Sequence, residues 1–482
     1  MGKRKRQSEA TDLVDQTLGE LWATISAGDM LQAELQASGV VSLPFQADST
    51  DEQTELVDAL VDAAMEQQYG PVAAAFMRLL MSLGPRVVKR AASEALAELT
   101  DDGIYPPEWV TGIGKAVPVR AGRAYDVFGD RETVIVTFSY PDEAEHALLV
   151  GVNLAGSPTM SVVGVSTDAA SLLTTIQDAA HPYERFEEIP LADARRRIEG
   201  PLAHAGDNPY IDLDFTEVMH VPVARSRVRR LPSGDTGPIT EYTAGDRAAA
   251  VDEFLRSSWA SEAGDLAVAR FWAEVLTGYS GRVPGEPPGL VGPFRLAAML
   301  LGYAASTFTL TAAQREGLEA AVGAWARWAA ARRDLDQVAT DHLLSRLPEI
   351  FDEFPVAYDD PICAARRAYA RDVAASDVDA AWLDECRTRR EFAAPLPPSR
   401  DADLVPIDAT SAEGRAALTG HEFSSCAPEG AEGEQFMATA KRIVEELWHD
   451  APPTTWQAGK SLLDKGLNPH DVIHRLVEAR RK

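Results

Sequence analysis

Between residues 117 and 165 the apolar residues fall into five short runs joined by connections of only a few residues. The runs are Val117–Arg120, Ala124–Phe128, Thr133–Tyr140, Ala147–Leu154 and Met160–Val165. They are rich in Val, Thr, Phe and Tyr and bounded by Gly, Pro, Asp or Asn. Such runs are strands. Connections this short cannot hold a helical crossover, so the strands must pair antiparallel. Asp168–Ala180 and Leu191–His204 then return to helical spacing and are expected to cover one face of the sheet. A small α+β domain over 116–222 follows.

Everything around that domain has a helical period. Leu13, Val14, Leu18, Leu21, Trp22 and Ile25 recur at three- and four-residue steps, as do Leu56, Val57, Leu60, Val61 and Ala64. Pro71 suits a first helical turn ahead of Val72, Phe76, Leu79, Leu80 and Leu83, and a further helix is expected over Arg86–Leu99. Helices resume at Arg247 and continue through Val378–Cys386, with Thr311 as a candidate cap. The expected organisation is a basic tail (1–10), a helical domain (11–115), the α+β domain (116–222) and a linker (223–246). A second helical domain (247–392), a second linker (393–430) and a C-terminal helical module (431–482) follow. The fold class is mainly α, multi-domain, with one antiparallel sheet.

Charge narrows the function. Lys plus Arg number 46 and Asp plus Glu 74, a net charge of −28 over 482 residues. That field repels phosphate backbones and argues against general nucleic-acid binding. Local basic runs at Lys3–Arg6 and at Arg225, Arg227, Arg229 and Arg230 stand out against it. Apolar residues at 45% are enough for packed cores. No apolar stretch reaches the ~18 residues of a membrane span, and no apolar run after Lys3–Arg6 suggests a signal peptide. A cytoplasmic chain without a membrane partner is expected.

Catalytic motifs are sparse. There is no phosphate-binding P-loop, no G-x-S-x-G and no H-E-x-x-H. Gly112-Ile113-Gly114-Lys115 lacks the P-loop spacing and reads as a turn. Cys363, Cys386 and Cys426 lack zinc-ribbon spacing and are expected to be structural. The strongest cluster is C-terminal: Glu445 and His449 are four apart, and so are His470 and His474. A four-residue step puts each pair on one helix face. Two such pairs on packed helices could converge on one divalent transition metal, with Asp450 and Asp471 orienting imidazoles. Against this, His449 would be favoured at a helix end by the dipole alone, and His470 could simply face water. A second cluster runs from His204 to His220 and contains Asp207, Asp212, Asp214 and Glu217; Asp212 and Asp214 would share one face of a strand, as a charged edge or a divalent-ion site, with Arg225–Arg230 available to pair with these carboxylates. Trp325 and Trp328 read as core.

The runs Ile443–Trp456 and Lys465–His474, with Trp325–Arg333 upstream, resemble a short helical module appended to uncharacterised, mostly actinobacterial, multi-domain proteins. The resemblance implies an architecture and no reaction. With no catalytic motif and several modules joined by linkers, the expectation is a scaffold or regulatory protein. It would bind a protein partner through its helical domains, without catalysis and without a cofactor. The alternative is a metal-dependent enzyme or metal sensor using Glu445, His449, His470 and His474.

Overall fold

The protein is described from a computed structural model covering residues 21, 23–24, 27–42, 50–66, 70–141, 144–156, 158–178, 181–203, 215–233, 241–280, 285–360, 363–364, 366–367, 389–390, 392–393, 409–423, 430–463, 467 and 469–481. It is mainly helical with one five-stranded antiparallel sheet. The chain divides into two compact units. The first is Met1–Glu241 with Val283–Gly285 and Leu335–Ala339; the second takes the remainder.

In the first unit α1 (Met30–Ser42), α2 (Thr50–Glu66), α3 (Gly70–Leu83) and α4 (Arg86–Asp101) form the helical part. The α3 sequence is apolar nearly all round, which suits only a central helix. Its residues Val72–Met77, Leu79, Leu80 and Leu83 are buried. The sheet follows with β1 (Val117–Asp126), β2 (Arg131–Ser139), β3 (His146–Asn153) and β4 (Thr159–Ser166). After α5 (Ala169–Asp178) the chain adds β5 (Glu184–Ile189) beside β1, giving the order β4-β3-β2-β1-β5. Two of the expected runs, Val117–Arg120 and Ala124–Phe128, are one strand with a register shift between Pro118 and Arg120.

Strand alternation sets the two faces of the sheet. Val134 pairs with Val150 and Val136 with Leu148, and all four enter the larger core. That face is covered by α6 (Leu191–Ala203) and α7 (Phe215–Val228). Ile135 and Ala147 point the other way, onto Ala169, Leu172 and Leu173 of α5. Arg197 of α6 is tied to the buried Glu132 of β2 at 2.7 Å, and Arg123 of β1 shares that carboxylate at 3.3 Å.

Two expected linkers need correction. Residues 223–228 are the end of α7, because Val223, Ala224 and Val228 recur at helical steps and are buried against both cores of the first unit. Among 393–430, α12 (Ala412–Glu422) is a helix capped by Ser411.

The second unit holds α8 (Ala244–Arg256), α9 (Leu266–Ser280), α10 (Leu318–Arg332) and α11 (Gln337–Asp359). Thr311 caps its short helix as expected, accepting from Gln314 N–H. Trp325 and Trp328 are core residues, 4.5 Å apart ring to ring and packed on Phe254. The C-terminal helices are α13 (Ala431–His449), α14 (Pro453–Leu463) and α15 (Pro469–Arg481). They share a core with Phe392, Ala393 and Phe423. Among the described residues no helix is long and apolar enough to cross a membrane.

Candidate anion-binding pocket

The basic run at the end of α7 distributes four guanidinium groups to four different jobs. Arg225 donates to the last carbonyls of α6, Leu202 O at 3.2 Å and Ala203 O at 3.1 Å. Those are groups a helix C-terminus leaves without intrahelical partners. Arg227 turns inward and is wholly buried. Arg229 and Arg230, in the turn that closes α7, stay at the surface.

Arg227 is the centre of a buried polar network. Both of its terminal nitrogens reach the Glu34 carboxylate of α1, one at 3.3 Å. Its Nε donates to His146 Nε2 at 3.0 Å. Tyr140, bonded to the same carboxylate, accepts the Gly114 N–H at 3.1 Å, and Glu34 Oε1 accepts that same N–H at 2.9 Å. A buried pair survives only when its remaining hydrogen-bonding groups are also satisfied, and here most are. Burial, and then the Glu34 charge, push the Tyr140 hydroxyl well above its ordinary range. Burial, and then the Arg227 charge, push the His146 imidazole down to about 3. His146 is therefore neutral. With Nε2 accepting from Arg227 its proton sits on Nδ1, which is buried and has no hydrogen-bond partner.

The Gly114 peptide joins this network to the surface. Its carbonyl accepts from Arg230 Nε at 2.6 Å. Its φ is +68°, and a Cβ built there would lie 2.3 Å from Ser82 Oγ, so any other residue would be strained and would displace that hydroxyl. Outside it lies a cavity of about 350 Å³ lined by Ser82, Lys89, Gly114, Ser226, Arg229 and Arg230. Ser82 lies in the last turn of α3, Lys89 belongs to the first turn of α4, Gly114 follows the 108–112 turn, Ser226 is on α7, and Arg229 and Arg230 are in the turn after it. Arg229 Nη2 donates to Ser82 O at 3.3 Å. Among the described residues, none of the three cations has a carboxylate partner. Burial, and then Arg229, hold the Lys89 ammonium below its ordinary value; burial, and then Arg230, do the same to Arg229. The pocket is thus a set of mutually repelling cations beside two hydroxyls, on a chain of net charge −28.

The sequence-derived sites lie elsewhere. The Glu445 carboxylate is held by Nε and Nη2 of Arg415 at 2.7 Å each. Arg415 in turn lies 4.5 Å over the Trp448 ring. His449 is exposed and stands 3.4 Å from Glu445. His470 Nδ1 is 2.8 Å from Glu422, whose carboxyl is held low by that bond. Its ring stacks on Phe423, with His474 5.5 Å away against Phe436. Burial, and then His470, hold the His474 imidazole below its ordinary value. Each four-residue pair does share a helix face, but each turns to α12 or to the residue after it rather than to the other pair. Among the described residues no group of three or more His, Cys, Asp or Glu is placed to hold a metal ion.

Asp207, Asp212 and Asp214 lie outside the described residues, as do Lys3–Arg6, Cys386 and Cys426. Glu217 is in helix α7 and not on a strand. Cys363 is half-buried, and burial pushes its thiol up. The pocket itself was hidden because its lining spans residues 82 to 230. The available signals were the clustered arginines and the Gly112–Lys115 turn, each already noted separately. No protein-family model, curated protein or solved structure matches the chain.

Proposed function

We propose that this chain is a non-enzymatic scaffold or regulatory protein that binds another macromolecule and anchors an anionic group of that partner in the Lys89–Arg229–Arg230 pocket. One observation carries the reading. Three cations without carboxylate partners surround a single concavity on a strongly acidic chain. The mutual repulsion of these cations is relieved by an incoming anion. The groups on offer are positive charges and hydroxyls, which is what recognition of an anion requires. The net negative charge of the chain repels anions in general, so an anion that binds here is selected by the local cations and hydroxyls.

The test is affinity capture from a lysate of the encoding organism with the wild type and with a Lys89→Gln, Arg229→Gln double variant. A partner held by the wild type, lost with the variant and released by millimolar inorganic phosphate is the expected result. A partner held equally by both proteins removes the pocket from the interface, and capture of none overturns the macromolecular reading.

A further inference from the structure

This inference rests on the anion-pocket part of the reading above and makes the anion specific; a free ester as the tighter ligand would remove the pocket from the partner interface. The anion must answer three positive charges approaching from two directions, Lys89 on α4 and the Arg229–Arg230 pair after α7. A carboxylate carries one charge and two oxygens in a plane, which leaves most of the repulsion in place. A phosphate monoester carries close to two charges at neutral pH and three acceptor oxygens arranged tetrahedrally. Arginine forks suit that geometry, and a lysine adds a point charge. Ser82 and Ser226 add neutral hydroxyl donors, and the Gly114 position leaves no side chain in the way.

The cavity also says what the phosphate is attached to. About 350 Å³ is several times the size of a phosphate group, so part of the esterified alcohol fits inside. The lining holds no aromatic or aliphatic side chain. A nucleobase would find nothing to stack on. An acyl chain would find no apolar wall.

We infer that the pocket binds a phosphate monoester of a small polar alcohol, without a base or lipid tail. Two sources share that chemistry: a free polyol phosphate, and a phosphorylated serine on the partner.

The experiment is calorimetric titration of the full chain at pH 7.5 and constant ionic strength. The probes are glycerol 1-phosphate, a phosphoserine peptide with its unphosphorylated form, 5′-AMP and acetate. Glycerol phosphate or the phosphopeptide should bind at least tenfold more tightly than acetate, and AMP no more tightly than glycerol phosphate. The tighter of the first two identifies the source. Arg229→Gln and Lys89→Gln should each weaken binding about tenfold or more. Arg229→Lys keeps the charge and should fall between. Lys115→Gln, on an exposed neighbour that does not line the cavity, should change nothing. Circular dichroism of each variant establishes that it is folded. Acetate binding as tightly as the phosphate esters overturns the monoester assignment and leaves anion recognition standing. AMP binding more tightly than glycerol phosphate overturns the exclusion of a base. Binding of none of these probes overturns the inference and the anion-pocket reading with it.

Discussion

Arg227 and Arg229 are two residues apart at the end of one helix, and they live in opposite worlds. Arg227 is enclosed, with Glu34, His146 and Tyr140 arranged around it. Arg229 is exposed, bonds one carbonyl, and faces two further cations across a cavity. Their charges are equal and their sequence context is nearly so. What separates them is the counter-charge: the fold supplies one for Arg227 and withholds one from Arg229. A cation whose partner is built in is structural; the one without a carboxylate partner is the one proposed to meet an anion.

That contrast can be broken by exchanging which arginine is neutralised. Glu34→Gln leaves Arg227 buried without its counter-charge and should cost about 3–5 kcal/mol. Native-state hydrogen exchange of the β2 and β3 amides would read the loss. Arg229→Gln measured the same way should stay within about 0.5 kcal/mol of wild type. If the two variants cost the same, the division between structural and binding arginines is wrong.

Arg415 provides an intermediate case, since its Glu445 partner is about one-third exposed while its own side chain is enclosed. Arg415→Met should cost about 1.5–3 kcal/mol, the range for hydrogen bonds to charged groups, seen as faster exchange in α13. The expected order is Glu34→Gln, then Arg415→Met, then Arg229→Gln.

A pH series sharpens the buried side of the contrast. His146 titrates near 6.5 when unfolded and near 3 when folded. The unfolded chain therefore binds the extra proton first. The stabilisation present above pH 6.5 is lost as pH falls towards 3, at up to about 1.4 kcal/mol per pH unit. His146→Gln retains an acceptor for Arg227 Nε. The difference in stability between wild type and variant should shift with that slope over this window, whatever the other groups contribute. A pH-independent difference would place the wild-type imidazole in its charged form.

The smallest effect concerns the exposed side. Lys89 is charged against Arg229, with its ammonium held low by burial first and by that neighbour second. Its folded value lies below its unfolded one, so the charged form costs stability at neutral pH. Lys89→Gln should raise stability by a few tenths of a kcal/mol, a modest figure because the group is partly solvated. The gain should vanish when a phosphate ester saturates the wild-type pocket. Thermal melts with and without glycerol 1-phosphate would show both.

The sheet was legible because its strands follow one another with short connections and alternate cleanly, as in Thr133–Tyr140. Helices such as Leu191–Ala203 announced themselves by period. β5 did not: in Glu184–Ile189 only Phe186 and Ile189 are apolar, on a charged sheet edge. The end of α7 looked like a linker because its arginines mask buried positions at Val223, Ala224 and Val228. Its pairing with Glu34 is a contact across 193 positions that no local pattern encodes. His470 and His474 do share one helix face, and Glu445 and His449 share another. Their partners Glu422, Phe423 and Arg415 came from a stretch that composition assigns to a connector. Short-range spacing reports a face, and only tertiary packing reports what that face meets.

Gly114 has a consequence for how sequences of this kind can diverge. Its peptide is held by Glu34 and Tyr140 through the N–H and by Arg230 through the carbonyl, and its missing side chain is the room that Ser82 occupies. Positions 82 and 114 are therefore one character written in two places. A chain with a side chain at 114 would need a smaller residue than serine at 82, and it would still carry the strain of a positive φ. A side chain gained at 114 alone would press on the Ser82 hydroxyl at the cavity wall, so a change at 114 should be accompanied by one at 82.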